Sequence, residues 1–442
     1  MIFKISTPLP KDIPLEFPLP EWLLVTLLVV SFLAHIVFIN LMLGGSILTL
    51  WAQIKGLKNK DYDIYAHEIA KTITVNKSMA VVLGVAPLLS INTLYTVYFY
   101  SANALTGFAW IMIIPLVTIA FLLTYLHKYT WHSLESAKRI HISIMAVAVG
   151  IFLIIPLIFL TNVNLMMFPE KWGTVKGFMD ALTLPNVFPR YFEFLGACLT
   201  ITGIFTVGYS NRKNYKIEKI YKTFTRYTLK KLGYKVAFVG VGLQLFFGII
   251  VLFTLPAKGL GFDVLGSMLS AGVVLFFVAF YIWKSMIAEE SKIDAHYKKI
   301  IIFILTFLLI YGGSRQMYRH NALHPHQKLM ALKTKEFQKL SEDARLHPVQ
   351  ETIAIDTTLG EYAVGSSLFK KNCSSCHKEK EKLVGPPMTE MVTIYKNKPE
   401  GLKKWINAPG KKRPDYPQMP GFASLSDEDL SELAKYILSI QK

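Results

Sequence analysis

The sequence predicts an all-α protein in which a polytopic helical membrane bundle is followed by a separate C-terminal all-α domain. Hydrophobic residues make up 52% of the 442 residues and the mean hydropathy is +0.38, which is too apolar for a soluble basic domain. Several runs of roughly 20 apolar residues predict about eight transmembrane helices. We therefore expect a membrane domain over residues 1–314, an amphipathic helix and linker over 315–357, and the small helical domain over 358–442.

The apolar runs place the predicted membrane helices near residues 22–52, 78–101, 107–128, 141–162, 191–210, 236–256, 264–285 and 299–313. A cleavable signal peptide is not expected, because residues 1–20 are Pro-rich and polar and the first apolar run is too long for an h-region. The Lys and Arg residues of 315–345 predict a basic, amphipathic helix on or near the outer surface of the membrane.

Basic residues are concentrated in alternate connections and thereby indicate the topology. Segment 211–235 is strongly basic against one acid, Glu218, and 53–77, 127–140 and 286–299 are also rich in Lys and Arg. Because basic connections stay in the cytoplasm, an even number of helices places both termini outside. The net charge of +18 therefore reflects topology rather than nucleic-acid binding. We expect a multi-pass protein of the bacterial inner (cytoplasmic) membrane, embedded in the lipid bilayer, with its C-terminal domain in the periplasm.

The segment CSSCH at 373–377 carries the most specific chemical signal in the chain. A C-x-x-C-H sequence is typical of c-type haem attachment, in which two thiols add to the haem vinyl groups and the His ligates the iron. The alternatives are a chance C-x-x-C, a redox dithiol or half of a zinc site. Zinc would need a second ligand pair, and the only other cysteine, Cys198, lies in an apolar run. We expect one covalent haem c held by Cys373, Cys376 and His377.

The sequence downstream offers a sixth iron ligand. Met419 lies in the loop YPQMPGF at 416–422, where a Met flanked by proline has little reason to serve as core. A thioether opposite the His raises the potential of a c-type haem, so we select Met419 as the ligand. Met388 and Met391 are the rival candidates.

The order of elements around this segment is informative. A short helical pattern precedes it, Gly385-Pro386-Pro387 predicts a rigid turn against the His, and a terminal helix is predicted from Asp427 with Ser426 as N-cap. Helix, C-x-x-C-H, Gly-Pro, loop Met and terminal helix in this order resemble a monohaem class I cytochrome c. The resemblance covers residues 358–442.

Polar residues inside the predicted spans suggest a second site. His35 lies mid-depth in the first span and is our candidate ligand for a b-type haem, since ionisable groups in membrane helices usually mark function. The alternative is a buried His bonded to a backbone carbonyl or to Asn40. Glu193 either pairs with Arg190 or serves as a proton or iron ligand. Met268, near the outer end of the seventh span, is a further candidate iron ligand. Six further histidines are expected at the cytoplasmic interface (His127, His132, His141) or on the solvated outer surface (His320, His324, His326).

The first 300 residues resemble subunit I of the cytochrome bd quinol oxidases, and more closely their relatives that carry a C-terminal cytochrome c. The segment AHIVFINLMLG at 34–44 is similar to the family's first-helix segment around the ligand of its high-spin b haem, which implies that role for His35. Weaker similarities lie at Leu83-Gly84-Val85-Ala86, at Arg139-Ile140-His141 and over 178–196.

The chain also departs from this family. The acidic ligand of the oxygen-reducing haem aligns with Asn92, and a neutral amide is a poor iron ligand. The histidine of the low-spin b haem aligns with Glu193 and its methionine partner with Met268. The long outer loop that binds quinol is reduced to 257–263. These departures put the family's oxygen and quinol chemistry in doubt.

Three functions follow as hypotheses. The first is an electron-transfer subunit of a respiratory redox complex, in which haem c exchanges electrons with other redox subunits or with a soluble carrier. Lysines around the haem segment favour a partner with an acidic surface, although a generally solvated basic surface would look the same (Lys370, Lys371, Lys378, Lys380, Lys382, Lys411, Lys412). The second is a terminal oxidase or small-molecule reductase that receives electrons through haem c. The third is a haem-free membrane anchor for the cytochrome.

Overall fold

The structure is a computed structural model that describes residues 17–346, 357–411 and 416–440. Its contacts divide the chain into two compact units, Met1–Lys339 and Leu340–Lys442, each described here by itself. The Pro-rich start of the chain and most of the predicted linker lie outside the described residues.

Over residues 17–346, the chain consists of helices joined by short connections. In order they are α1 (Glu21–Gly56), α2 (Lys60–Leu94), α3 (Thr96–Thr106), α4 (Phe108–Ile111), α5 (Ile113–Tyr129), α6 (Lys138–Met166), α7 (Phe178–Leu182), α8 (Val187–Ser210), α9 (Ile217–Ile220), α10 (Arg226–Thr254), α11 (Phe262–Ile287) and α12 (Tyr297–Leu346). Within the described residues, seven helices are long and apolar enough to cross a membrane, and the count is eight if the bent pair Lys60–Ile73 and Ser78–Leu94 is one span. The described ranges contain no strand, and the predicted all-α class is confirmed.

The second predicted span, 78–101, has different bounds in the structure. Helix α2 begins at Lys60, in a polar stretch where hydropathy gives no signal, and Asn59 caps it by accepting the Asp61 N–H at 3.0 Å. The helix ends at Leu94 because Tyr95 leaves the helical region, with φ −129° and ψ 38°. Helix α3 then continues the chain.

The final predicted span, 299–313, and the amphipathic segment 315–345 form one continuous helix, α12. The sequence becomes polar after residue 313 without containing a residue that stops the helix, and even Pro325 is accommodated within it. Only the first part of the polar half of α12 packs into the unit, where four apolar residues are buried in the core: Tyr318, Ala322, Leu323 and Met330. Residues 331–340 are almost all exposed, in keeping with the predicted surface helix.

Three helix contacts position the polar residues of this unit. The short turn between α1 and α2 makes them an antiparallel hairpin, in which His35 and Ala80 lie at about the same distance from the turn. Helices α8 and α10 touch through their backbones, since a Cβ on Gly196 would lie 2.7 Å from the carbonyl oxygen of Gly240. Glu193 and Tyr311 connect α8 with α12.

From residue 363 onward, the described part of the second unit has four α-helices, α13 (Ala363–Asn372), α14 (Met388–Tyr395), α15 (Pro399–Asn407) and α16 (Asp427–Ser439). They enclose one hydrophobic core, which includes Leu368, Phe369, Met388, Leu402, Leu430 and Leu433. Ser426 is the N-cap of α16, as predicted: its hydroxyl accepts the Asp429 N–H at 3.1 Å, and the Asp429 carboxylate accepts the Ser426 N–H in return.

We expect Ser426→Ala to lower the free energy of unfolding of the second unit by about 1 kcal/mol, because it leaves the first turn of α16 without its capping acceptor. Urea unfolding of the full chain measures this, followed by the absorbance of the haem expected at Cys373 and Cys376. Ser431→Ala is the matched control, since the Ser431 hydroxyl only bonds back to the Asp427 carbonyl within the same helix. Equal losses in both variants would contradict the prediction.

Candidate functional site

The C-x-x-C-H segment forms a tight turn directly after α13. The backbone N–H of Cys373 donates to the Phe369 carbonyl at 2.8 Å, and that of Ser374 donates to the same oxygen at 3.0 Å. The N–H groups of Cys376 and His377 donate to the Cys373 carbonyl at 3.0 and 2.9 Å. The chain's own hydrogen bonds therefore bring both thiols and the imidazole together.

The His377 ring is held in a single orientation. It is 8% exposed, and its Nδ1–H donates to the Pro386 carbonyl at 2.8 Å. A neutral imidazole that donates from Nδ1 presents the lone pair of Nε2, which is the arrangement that metal-ligating histidines use. Gly385 lies against the ring, and a Cβ there would lie 2.8 Å from Nδ1 and closer still to Cε1. The Gly385 N–H also donates to the Cys376 carbonyl at 2.8 Å, so the turn cannot easily move away.

The two thiols differ in environment. Cys373 is 7% exposed, whereas Cys376 is half-buried. Burial, and then the neighbouring Cys376 thiol, raise the pKa of Cys373 to about 11. Catalytic dithiols have lowered thiol pKa values, so this environment does not favour the redox alternative. Within the described ranges, no group of three or more His, Cys, Asp or Glu residues is arranged to hold a metal ion such as zinc.

The candidate methionines occupy different environments. Met388 is 2% exposed within the core, and Met391 packs against the same core from α14. Met419 is half-buried in an irregular segment, which the Phe422 N–H ties to the Ile406 carbonyl at 3.1 Å. Packing accounts for both rivals, and Met419 as the sixth ligand stays a prediction.

The lysines predicted around the haem segment are exposed where the structure describes them: Lys370, Lys371, Lys378, Lys380, Lys382 and Lys411. Lys412 lies outside the described residues. Acidic neighbours reduce the local charge only in part, for example Glu381, which pairs with Lys378 at 2.9 Å between two exposed side chains. The surface remains predominantly basic beside the C-x-x-C-H turn.

In the first unit, His35 is bonded in the same way as His377. Its Nδ1–H donates to the Ala80 carbonyl at 2.8 Å, and a Cβ on Gly84 would lie 2.8 Å from its Cε1 atom. This hydrogen bond to the backbone occupies Nδ1, so Nε2 is the ring nitrogen that can bind a metal. Asn40 does not take part, since its side-chain oxygen accepts from the Cys198 thiol at 3.3 Å.

His35 and Gly84 line a large cavity of about 500 Å³. Its walls are mainly apolar and come from α1, α2, α5, α6, α8, α10 and α12. Part of the wall is strongly polar, with Arg190, Glu193, Tyr311, Arg315, Gln316 and Arg319. The roles of Tyr311, Arg315 and Arg319 in this wall were not predictable from the sequence, because their neighbours in the chain do not indicate that α12 faces α1.

Glu193 and Met268 do not line this cavity together. The Tyr311 hydroxyl donates to Glu193 Oε2 at 2.7 Å. No ion pair within 4.0 Å joins Glu193 to Arg190 in the described part of the chain. Met268 lies on α11, which contributes none of the described lining residues, and it packs against a core cluster that includes Val264 and Tyr318. Iron ligation by Glu193 and by Met268 stays a prediction that this arrangement does not favour.

Several histidines are more buried than the sequence suggested. His326 was expected on the solvated surface but is 8% exposed, because Tyr98 bonds its Nδ1 at 3.0 Å and Trp172 packs against its ring. His127 and His141 lie near the ends of α5 and α6, where an interfacial position was expected, and are fully buried within the protein, with stacked rings 4.0 Å apart. Gln53 bridges them and explains the burial, at 3.0 Å from His127 Nε2 and 2.6 Å from His141 Nδ1.

A comparison with known families matches residues 362–441 to cytochrome c. The match covers the pentapeptide, the Gly-Pro turn, Met419 and α16, and supports haem c and electron transfer for this domain. The search of curated proteins finds no match to the chain. The comparisons therefore give no support to the resemblance of the first 300 residues to the bd oxidases.

We expect Gly385→Ala to destabilise the second unit by about 1–3 kcal/mol, because a new methyl group would overlap the His377 ring. The yield of covalent haem per chain should fall, since the displaced ring no longer presents Nε2. Pyridine haemochrome assays and urea unfolding measure both effects. Gly401→Ala is the control, because a Cβ there meets only ordinary contacts at 3.8 Å or more and should be neutral or mildly stabilising. Full haem content and stability in Gly385→Ala would refute this view of the turn.

Proposed function

We propose that the chain is a membrane-bound c-type cytochrome that passes electrons at the periplasmic face of the bacterial inner membrane, as a subunit of a larger redox complex. The observation that carries this proposal is the oriented His377 ring beside two cysteines, within a segment that matches cytochrome c. One covalent haem would be held by Cys373, Cys376 and His377, and when bound it supplies reversible one-electron chemistry.

The residues around this haem set its properties. The Nδ1 hydrogen bond to the Pro386 carbonyl orients the His377 ring, and Gly385 lets the backbone lie close against that ring. Met419 would supply a soft sixth ligand, which favours the reduced state and raises the potential. The burial of Cys373 and the surrounding hydrophobic core limit access of water.

The membrane location rests on the apolar helices and on the charge of their connections. Helices of 22 to 36 residues among the spans are long enough to cross a bilayer. The connection between α8 and α10 is basic, and several of its lysines are exposed. Eight spans with cytoplasmic basic connections would leave both termini in the periplasm, where haem c is attached.

We further propose that the membrane domain holds a b-type haem ligated by His35. Three features of the site fit: the Nδ1 bond that directs Nε2, the glycine that makes room beside the ring, and an apolar cavity that His35 lines. This would make the membrane domain a redox partner of haem c rather than an empty anchor. The first-helix resemblance to the bd oxidases agrees with this role for His35.

The exposed lysines beside the C-x-x-C-H turn suggest that the electron-transfer partner presents an acidic surface. A basic rim beside the haem attracts an acidic surface on a soluble carrier or on a neighbouring subunit, and such encounters weaken with salt. No nucleic acid is implied, since the positive charge is distributed over membrane connections and the cytochrome rim.

We expect Met419→Ala to lower the midpoint potential of haem c and to remove the absorption band of the methionine–iron bond, because the soft ligand is lost. Redox titration and near-infrared spectra measure these changes. Met391→Ala is the control, since this partly buried Met serves the core and its loss should cost stability without shifting the potential. A shift in the control alone would identify Met391 as the ligand.

We expect His35→Ala to remove the haem b signal while haem c is retained. Reduced-minus-oxidised spectra and pyridine haemochromes of the purified protein test this, with His320→Ala as the control because His320 is exposed. If wild type contains haem c alone, the membrane domain is an anchor and this part of the proposal is wrong. Rapid binding of CO to the b haem would instead favour the small-molecule reductase.

A further inference from the structure

The cavity that His35 lines also contains an unusual cluster of charge. Arg190, Arg315 and Arg319 all line it, against one carboxylate, Glu193. Glu193 accepts a hydrogen bond from Tyr311, and the described residues show no ion pair within 4.0 Å for any of the three guanidinium groups. Arg190 is 8% exposed, and its Nε–H has no hydrogen-bond partner among the residues that the structure describes.

The other two arginines are held mainly by neutral groups. Arg315 lies over the ring of Phe32, with 5.1 Å from the guanidinium carbon to the ring centroid. Arg319 lies over Tyr95 at 5.3 Å and donates to the Gln316 side-chain oxygen at 2.8 Å. Rings and amides orient a guanidinium but do not neutralise it.

This arrangement requires negative charge from a ligand. A guanidinium stays protonated in proteins, so it cannot avoid the cost of burial by losing its proton. An unpaired charge in apolar surroundings is strongly disfavoured, and three around one cavity are disfavoured further by mutual repulsion. A neutral quinol could fill the space but would not offset this charge, whereas a ligand with two carboxylates would.

The positions of the arginines relative to His35 indicate which ligand this is. Phe32, which Arg315 covers, precedes His35 by three residues, a rise of about 4.5 Å along α1. Arg319 lies one turn further along α12, about 6 Å beyond Arg315. The arginines are thus offset from His35 along the helix axes by roughly the reach of a porphyrin from its iron to its propionate carboxylates.

We infer that Arg315 and Arg319, assisted by Arg190, bind the two propionate carboxylates of the b-type haem that His35 ligates. This inference rests on the proposed function, and it assigns the orientation of that haem in the cavity. Bound in this way, the haem would have its iron held at His35 and its propionates held by the arginines nearer the start of α1 at Glu21. Planar guanidinium groups match carboxylates in a bidentate geometry, which lysines cannot reproduce.

The test uses the purified full-length protein with Arg315→Gln and Arg319→Gln, each compared with Arg139→Gln, an exposed arginine outside the cavity. Transfer of haem b to excess apomyoglobin measures retention, and redox titration measures its potential. We expect retention to weaken by about tenfold to a hundredfold in each cavity variant. The midpoint potential should fall, since a lost positive charge favours the ferric state. Arg315→Lys keeps the charge and should keep the potential close to that of wild type despite weaker retention.

Each other outcome overturns a specific statement. If wild type has no haem b, the proposed b-haem function fails, and this inference fails with it. If His35→Ala removes haem b but both Gln variants behave like Arg139→Gln, the inference alone is wrong. If the Gln variants keep haem b but lose a lipid phosphate that co-purifies with wild type, the arginines bind lipid and the inference is likewise wrong. Monodisperse elution in detergent and the Arg315→Lys variant separate these results from misfolding.

Discussion

A hydrogen bond from an imidazole Nδ1 to a backbone carbonyl is the contact on which both candidate haem sites depend. His377 makes it to Pro386 and His35 makes it to Ala80, each at 2.8 Å. In both cases a glycine lies against the ring, where a Cβ would overlap it. The bond fixes the tautomer and directs Nε2 outward, and the glycine allows the ring to lie that close to the backbone. Two unrelated local structures, a proline turn and a helix hairpin, thus present an imidazole in the same state.

The two candidate sites differ in how far the basic side chains beside them are exposed to solvent. Lysines beside the cytochrome segment are exposed, so water and salt screen them and they cost little. The arginines of the cavity are enclosed by apolar helices and aromatic rings, where the same charge is expensive unless a ligand compensates it. The exposed lysines can therefore attract an electron-transfer partner in solution. The cavity arginines, by contrast, would be compensated by a bound anionic ligand.

Local signals were sufficient for much of this protein. The C-x-x-C-H segment, the Gly-Pro turn and the Ser426 cap depend on neighbours in the chain, and the structure places these elements together as a small helical unit. Hydropathy located the spans, but it misjudged where helices end: α12 continues past the apolar segment because composition changes there while helix propensity does not. For the same reason, hydropathy did not predict that α2 begins in the polar segment at Lys60.

The membrane cavity could not be predicted because its residues meet over long distances in sequence. Arg315 contacts Phe32, and His326 contacts Tyr98, and neither pair leaves a periodic signal in the chain. In a helix bundle, the role of a polar residue depends on the side chains of the neighbouring helix that it contacts. Those contacts are set by the packing of whole helices. His35 and Arg315 were therefore separate observations in the sequence. Once α12 lies against α1, both residues line one cavity, in which His35 would hold a metal and Arg315 a carboxylate under our proposal.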